Sequence, residues 1–181
     1  IGQALWDFYH HQIHTLRQFH ADPHPGNFLA FAGKLWVLDF GCTKSIADDF
    51  YRKQFAFLNP EVVDDRSRLI AALEEMNILL PTDGNEAREQ LVDLAKRSMG
   101  LLARPFRETS FNFADDDFMQ AVYALGIENQ QNNTLKKLRG ARGAADSLYI
   151  NRAYFGLYSL LSRLRSRVQI SSPNIPALLD F

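Results

Sequence analysis

A single cysteine, Cys42, stands among the 181 residues, which excludes an internal disulfide and points to a reducing compartment. Long apolar runs are missing too. No stretch approaches the ~20 residues of a membrane span, and no signal-peptide pattern opens the chain. Charge of either sign is not in excess: Lys+Arg 20 against Asp+Glu 21 leaves a formal net charge of -1, and nothing recommends a nucleic acid as partner. There is no internal repeat. What is present is ordinary globular composition, 46% hydrophobic and 23% charged. The length suits a single domain over residues 1–181, able to bury roughly 70% of its unfolded surface. The chain opens at Ile1 within a helical pattern, so the expectation is a piece of a longer protein.

Helical periodicity dominates. Leu5, Phe8, Tyr9, Ile13, Leu16 and Phe19 predict a helix over residues 2–19, which must stop by Ala21–Asp22 because Pro23 and Pro25 disfavour helical geometry before them. The Pro-His-Pro-Gly run predicts a rigid loop, with Gly26 taking a backbone angle other residues resist. Residues 46–58 read as a helix, and Asn59-Pro60-Glu61 as a capped start of the next, whose stripe is Val62, Leu69, Leu73 and Met76. Thr82-Asp83-Gly84 precedes a helix of about 85–103. Asp115 is placed to cap another, and a closing helix is expected over about 146–168. The polar run from Glu128 to Thr134 and the segment Arg139–Gly143 read as a loop or linker, and the tail after Ser171 as irregular.

Between these helices lie two short apolar runs, Phe28–Phe31 and Leu35–Leu38, joined by Ala32-Gly33-Lys34. They predict a β-hairpin. With a three-residue loop, 31 pairs with 35 and 28 with 38, so Asn27 lies opposite Asp39, their side chains on one face. A two-residue loop, Gly33-Lys34, would shift this register by one. The hairpin is framed by His20-Ala21-Asp22-Pro23-His24-Pro25-Gly26-Asn27 and by Asp39-Phe40-Gly41. An Asp, an Asn five residues later, a hairpin and then D-F-G follow the order of parts in the protein-kinase signature H-R-D-x-x-x-x-N…D-F-G. Phosphoryl transfer needs hard oxygen ligands for magnesium, a group that orients the acceptor, and positive charge on the phosphates. Asn27 and Asp39 suit the first task. Asp22 suits the second, as a group that accepts a proton from an attacking hydroxyl or water. Taken singly, Asp22 and Asn27 also fit turn caps; it is the joint pattern that points to a site.

H-A-D-P-H-P-G-N followed by L-D-F-G resembles the UbiB/ADCK family of atypical protein-kinase-like proteins, specifically over residues 20–41 and more loosely from about 2 to 168. The resemblance implies a mainly α, kinase-like C-terminal lobe with a helical extension and one small hairpin beside the catalytic loop. It implies catalytic Asp22, with Asn27 and Asp39 binding the metal and cofactor, namely Mg²⁺ and ATP. It also implies ATP binding and hydrolysis, and a part in prenyl-quinone (ubiquinone) or lipid metabolism. Ala21 stands where general kinases have Arg, as in the family pattern. The family's upper lobe brings an Ala-rich nucleotide loop, a strand Lys and a helical Glu, and no segment here matches them. Its K-x-G-Q signature belongs far upstream, so Gly2-Gln3 is set aside as an echo. The expected partners are thus ATP, the missing N-lobe and a lipid or membrane surface; the expected place is cytoplasmic, peripheral to a membrane; and the fragment alone is expected to be inactive.

Other features have plainer readings. His10 and His14 have zinc-compatible spacing but no completing ligands, which favours a solvated or core-capping role; His20 suits packing beneath the catalytic loop. Asn59-Pro60-Glu61 resembles the kinase A-P-E, with Thr43 and Ser45 as candidate phosphosites, yet a helix fills the interval. Cys42 reads as a small buried hydrophobe. Lys136, Lys137, Arg139, Arg142, Arg152, Arg163, Arg165 and Arg167 make a basic stretch that reads first as a solvated face and second as a membrane-facing one. Two other functions fit the residues: a small-molecule phosphotransferase of the aminoglycoside- or choline-kinase type, which Pro23 and Phe40-Gly41 disfavour, and a nucleotide-binding scaffold without turnover.

Overall fold

The computed structural model describes residues 1–131 and 142–171. The chain is mainly α and divides into two compact units, one formed by Ile1–Asp48, Glu108–Met119 and Ala145–Ser171, the other by Asp49–Arg107 with Gln120–Ala144.

The first unit holds the kinase-like stretch. Helix α1 (Gly2–His11) runs into a π-helical turn, Gln12–Leu16, and ends at Arg17. Arg17 takes a left-handed backbone (φ 55°), and its guanidinium donates to the carbonyls of Ile13 and His14 at the helix end. The helix is therefore shorter than the periodicity predicts. Phe19 and His20 are buried not on a helix face but in a strand, β1 (Gln18–His20), which pairs antiparallel with β4 (Thr43–Ser45). Between them lies the hairpin of β2 (Phe28–Phe31) and β3 (Lys34–Val37). A third antiparallel pair, β5 (Ser110–Asn112) with β6 (Arg167–Gln169), closes the unit. The sequence predicts only one of these three pairs.

An aromatic cluster forms this unit's core. Phe113, fully buried, meets Trp6, Phe111, Phe118 and Tyr158 at ring-centroid distances of 6.0, 4.8, 6.0 and 5.3 Å. Such pairs add roughly 0.5–1.5 kcal/mol each beyond the area they bury. The predicted helix over 146–168 is α7, Ala145–Arg163; a left-handed Arg165 ends the helical path, and Val168 is buried in β6 instead. Gly2-Gln3 is explained locally. A Cβ on Gly2 would fall 2.1 Å from Ser166 Oγ, and the Gln3 amide bonds the backbone N–H and C=O of Gln169 at 2.7 and 3.1 Å.

The second unit is helical: α2 (Asp48–Ala56, from Asp49 on), α3 (Pro60–Asp64), α4 (Arg66–Glu75) and α5 (Asn85–Leu102), with α6 (Asp116–Gln131) entering it after Met119. Asn59 caps α3 as expected, its Oδ1 accepting from the Glu61 N–H at 2.9 Å. The single helix predicted beyond it is two. Asp65 leaves helical geometry and caps α4 by accepting from the N–H groups of Ser67 and Arg68. Leu69, Leu73 and Met76 of the predicted stripe pack with Phe57, Val63, Leu79, Leu91 and Val92; Val62, also expected in it, is buried outside this cluster. Asp83 is nearly fully buried and paired with Arg142, which also donates to the Ile78 carbonyl. The loop predicted from Glu128 begins instead as the end of α6; Lys136, Lys137, Arg139 and the tail after Ser171 lie outside the described residues.

Candidate active site

The site is built on His20, which is 1% exposed at the end of β1. Its Nδ1 accepts the Asp22 N–H at 3.0 Å, so the ring proton sits on Nε2 and is donated to the Asp39 carbonyl at 2.7 Å. One imidazole thus ties Asp22 to the Asp of D-F-G. The His20 N–H is itself received by Gln12 Oε1 in the π-helical turn, at 2.9 Å. Pairing continues past β1, with the Ala21 N–H donating to the Cys42 carbonyl at 2.8 Å, so the segments entering the loop and leaving D-F-G are stitched together. Thr43 and Ser45 are held in that pairing as β4, which leaves no long loop for phosphorylation to order.

Beyond Asp22 the chain turns through a 3₁₀ helix, Pro25–Asn27, that His24 caps through its Nδ1. Gly26 does not take the left-handed angle expected of it. It lies flat against the His24 ring, where a Cβ would come within 3.0 Å of Nδ1. This turn brings Asn27 back onto Asp22: the amide Nδ2 donates to both the Asp22 carbonyl and Oδ2, each at 3.0 Å.

The hairpin register corrects the expected opposition of Asn27 and Asp39. The loop is two residues, Ala32-Gly33, with φ of 50° and 73°, the positive angles of a type I′ turn. Phe31 therefore pairs with Lys34 and Phe28 with Val37, and the Leu38 N–H donates to the Asn27 carbonyl at 2.9 Å. Leu38, not Asp39, stands opposite Asn27. Asp22 and Asn27 are in direct contact, whereas Asp39 joins them through its backbone and His20. The side chains of Asn27 and Asp39 share a property of another kind. Each is held by one end and leaves one oxygen unclaimed: among the described residues Asn27 Oδ1 accepts nothing, and Asp39 uses Oδ1 for the Gly41 N–H at 2.7 Å while Oδ2 accepts nothing.

Two features of α7 complete the site, and sequence periodicity does not find them. Arg152 Nη2 meets Asp22 Oδ1 at 2.8 Å, a half-exposed pair worth at most about 1 kcal/mol. Gly156, one turn on, allows this reach: a Cβ there would fall 2.0 Å from Pro23 Cγ, so only glycine lets the helix lie against the loop. Asp22 thus has both carboxylate oxygens engaged, one by Arg152 and one by Asn27. Tyr9, fully buried, has its phenol pKa raised by burial first and by the Asp22 charge second. His14 Nε2 meets Tyr154 Oη at 2.8 Å, and its ring lies 4.6 Å from that of His10. Burial, with help from His10 and Arg17, pushes the His14 pKa down to about 2. The His14–Tyr154 pair joins the π-helical turn to α7.

Residues 1–73 match the model of a family described as the ABC1 atypical kinase-like domain. An uncharacterized protein of Synechocystis sp. is 32% identical over 108 residues, which is 58% of this chain and 18% of that protein. The chain therefore spans less than a fifth of the length of that relative. The family match agrees with the UbiB/ADCK resemblance of residues 20–41 and includes His20, Asp22, Asn27 and Asp39, while Arg152 and Gly156 lie outside it. Residues 1–73, which carry Asp22, Asn27 and Asp39, are thus similar to the ABC1 atypical kinase-like domain.

Proposed function

We propose that this chain supplies the metal-binding and catalytic loops of a phosphotransferase or ATPase that uses Mg²⁺ and ATP. The observation that carries this is the pair of unclaimed oxygens, Asn27 Oδ1 and Asp39 Oδ2, on side chains otherwise fixed by hydrogen bonds. An amide oxygen and one carboxylate suit magnesium, which is commonly held by one or two carboxylates together with phosphate oxygens and water. Among the described residues no cluster of three His, Cys, Asp or Glu side chains comes together, so an ion here depends on nucleotide phosphates for its remaining ligands. When bound, magnesium would offset the charge of the terminal phosphates and align them.

The remaining roles fall to this chain's own groups. Asp22 orients the acceptor and takes its proton; Asn27 holds the Asp22 carboxylate in place through Nδ2 while facing the metal through Oδ1. His20 keeps Asp22 and Asp39 in register. The rest of the longer protein brings the cation for the phosphates and the cover over the nucleotide. On the family resemblance, the whole protein acts in prenyl-quinone or lipid metabolism, at a membrane surface; no helix among the described residues is long and apolar enough to cross a membrane.

The test is ATP turnover by the full-length protein, with and without phospholipid vesicles. Magnesium-dependent turnover that disappears in Asp39→Asn supports the proposal. Turnover equal in the wild type and the variant, under both conditions, refutes it.

A further inference from the structure

An open groove of about 310 Å³ runs between the catalytic loop and α7. Its loop side presents Asp22 and His24, and its helix side Arg152, Phe155, Ser159 and Arg163. Arg152, Ser159 and Arg163 follow one another at spacings of seven and four residues, which keeps them on the helix face that Gly156 seats against Pro23. The groove therefore joins the carboxylate assigned to the acceptor with two guanidinium groups. Only one of these is in an ion pair among the described residues: Arg152 pairs with Asp22, and Arg163 is in none.

The geometry points to this groove as the acceptor subsite, taking an alcohol that carries a phosphate monoester, with Arg152 as its specificity-determining residue. This rests on the proposed phosphoryl-transfer function. A guanidinium binds phosphate oxygens through paired N–H donors. Arg163, eleven residues or about 16 Å further along α7, adds positive charge at the far end of the groove. The Arg152–Asp22 contact is solvent-screened and exchanges readily, so an incoming phosphate displaces the Asp22 carboxylate from Arg152. Asp22 stays in place because Asn27 Nδ2 still holds Oδ2, and its Oδ1 is then open to the acceptor hydroxyl. In the transfer, the hydroxyl oxygen bonds to the terminal phosphorus of ATP while the bond from that phosphorus to the bridging oxygen breaks. The electron pair leaves on ADP, and the hydroxyl proton passes to Asp22. Arg152 thus shields the base until an acceptor of the right charge arrives.

Calorimetric titration of the full-length protein, without nucleotide or magnesium, separates this inference from the function it rests on. The probes are glycerol 3-phosphate, glycerol, and phosphatidylcholine vesicles with and without phosphatidate. Saturable binding of glycerol 3-phosphate, with none of glycerol, supports the subsite for a soluble acceptor; binding confined to phosphatidate vesicles supports it for a lipid headgroup. In either case Arg152→Gln should weaken binding roughly tenfold or more with the melting temperature unchanged, because it removes a charged hydrogen-bond donor, and Arg163→Gln should weaken it less. Equal binding by Arg152→Gln and the wild type, or no binding of any phosphate probe, overturns the inference, whatever the protein does with ATP.

Discussion

Replacing His20 by Ala removes two hydrogen bonds at once and leaves two backbone groups behind. The Asp22 N–H loses its acceptor and the Asp39 carbonyl its donor, both at a side chain that is 1% exposed. An unsatisfied buried polar group costs about 1–3 kcal/mol, and the space left by the ring adds to this. His20→Ala should therefore cost about 3–5 kcal/mol, a large part of the 5–15 kcal/mol of an ordinary domain. Partial replacements divide the loss. His20→Asn places an acceptor near the position of Nδ1 and can keep the Asp22 bond; His20→Gln places a donor near Nε2 and can keep the Asp39 bond. Each should recover about half of the loss. Equilibrium urea unfolding of the full-length variants measures the cost, and nucleotide titration reads the displacement of Asp39 from Asp22. An Ala variant that loses less than about 1 kcal/mol would refute the bridging role.

Acid should act first through His14. Its pKa is about 2 when folded against 6.5 in the unfolded chain, so only the unfolded state takes up a proton as pH falls below 6.5. Stability should be full above pH 6.5 and drop by at most about 2 kcal/mol at pH 5; melting curves of His14→Gln between pH 7 and 5 should be flatter than those of the wild type, and an unchanged slope would count against it. Asp83 works in a lower window: Arg142 holds its carboxyl down to about 2, so its contribution is present above 3.8 and is lost as pH falls from 3.8 to about 2. Asp83→Asn, which strands a largely buried guanidinium, should cost about 3–5 kcal/mol in urea unfolding, and a cost near zero would contradict the pairing. Ala32→Asn should stabilise the hairpin by about 0.5–1 kcal/mol, because Asn tolerates the left-handed angle that Ala32 adopts; slower amide exchange across β2 and β3 is the readout, and faster exchange would speak against the type I′ turn.

Where periodicity and cap chemistry act locally, the sequence reading holds. Asn59 and Pro60 start α3, the break at Thr82-Asp83-Gly84 precedes α5, and Asp115 receives the Asp117 N–H before α6. Misses arise where distant segments decide. Phe19 and Val168 continue helical stripes in sequence, but Arg17 and Arg165 turn the backbone left-handed, and each apolar residue is buried in a strand whose partner lies elsewhere in the chain. Three-residue strands have too few residues for alternation to reveal them. The site shows the same division. Asp22, Asn27 and Asp39 are found by spacing, yet their register depends on whether Ala32 accepts a positive φ, which composition around the turn does not settle. Arg152 and Gly156 carry no local signal at all. Their meaning comes from Asp22 and Pro23, more than a hundred residues earlier.

Asn27 Oδ1 and Asp39 Oδ2 are the proposed metal ligands for a bound nucleotide. Calorimetric titration of the full-length protein with ATP, in the presence and absence of Mg²⁺, tests this through Asp39→Asn, which keeps an oxygen for the Gly41 N–H but removes the charge. Loss of the magnesium-dependent part of the affinity, with the fold intact by circular dichroism, is the predicted result. Magnesium-dependent ATP binding equal to that of the wild type would rule these two oxygens out as the metal ligands.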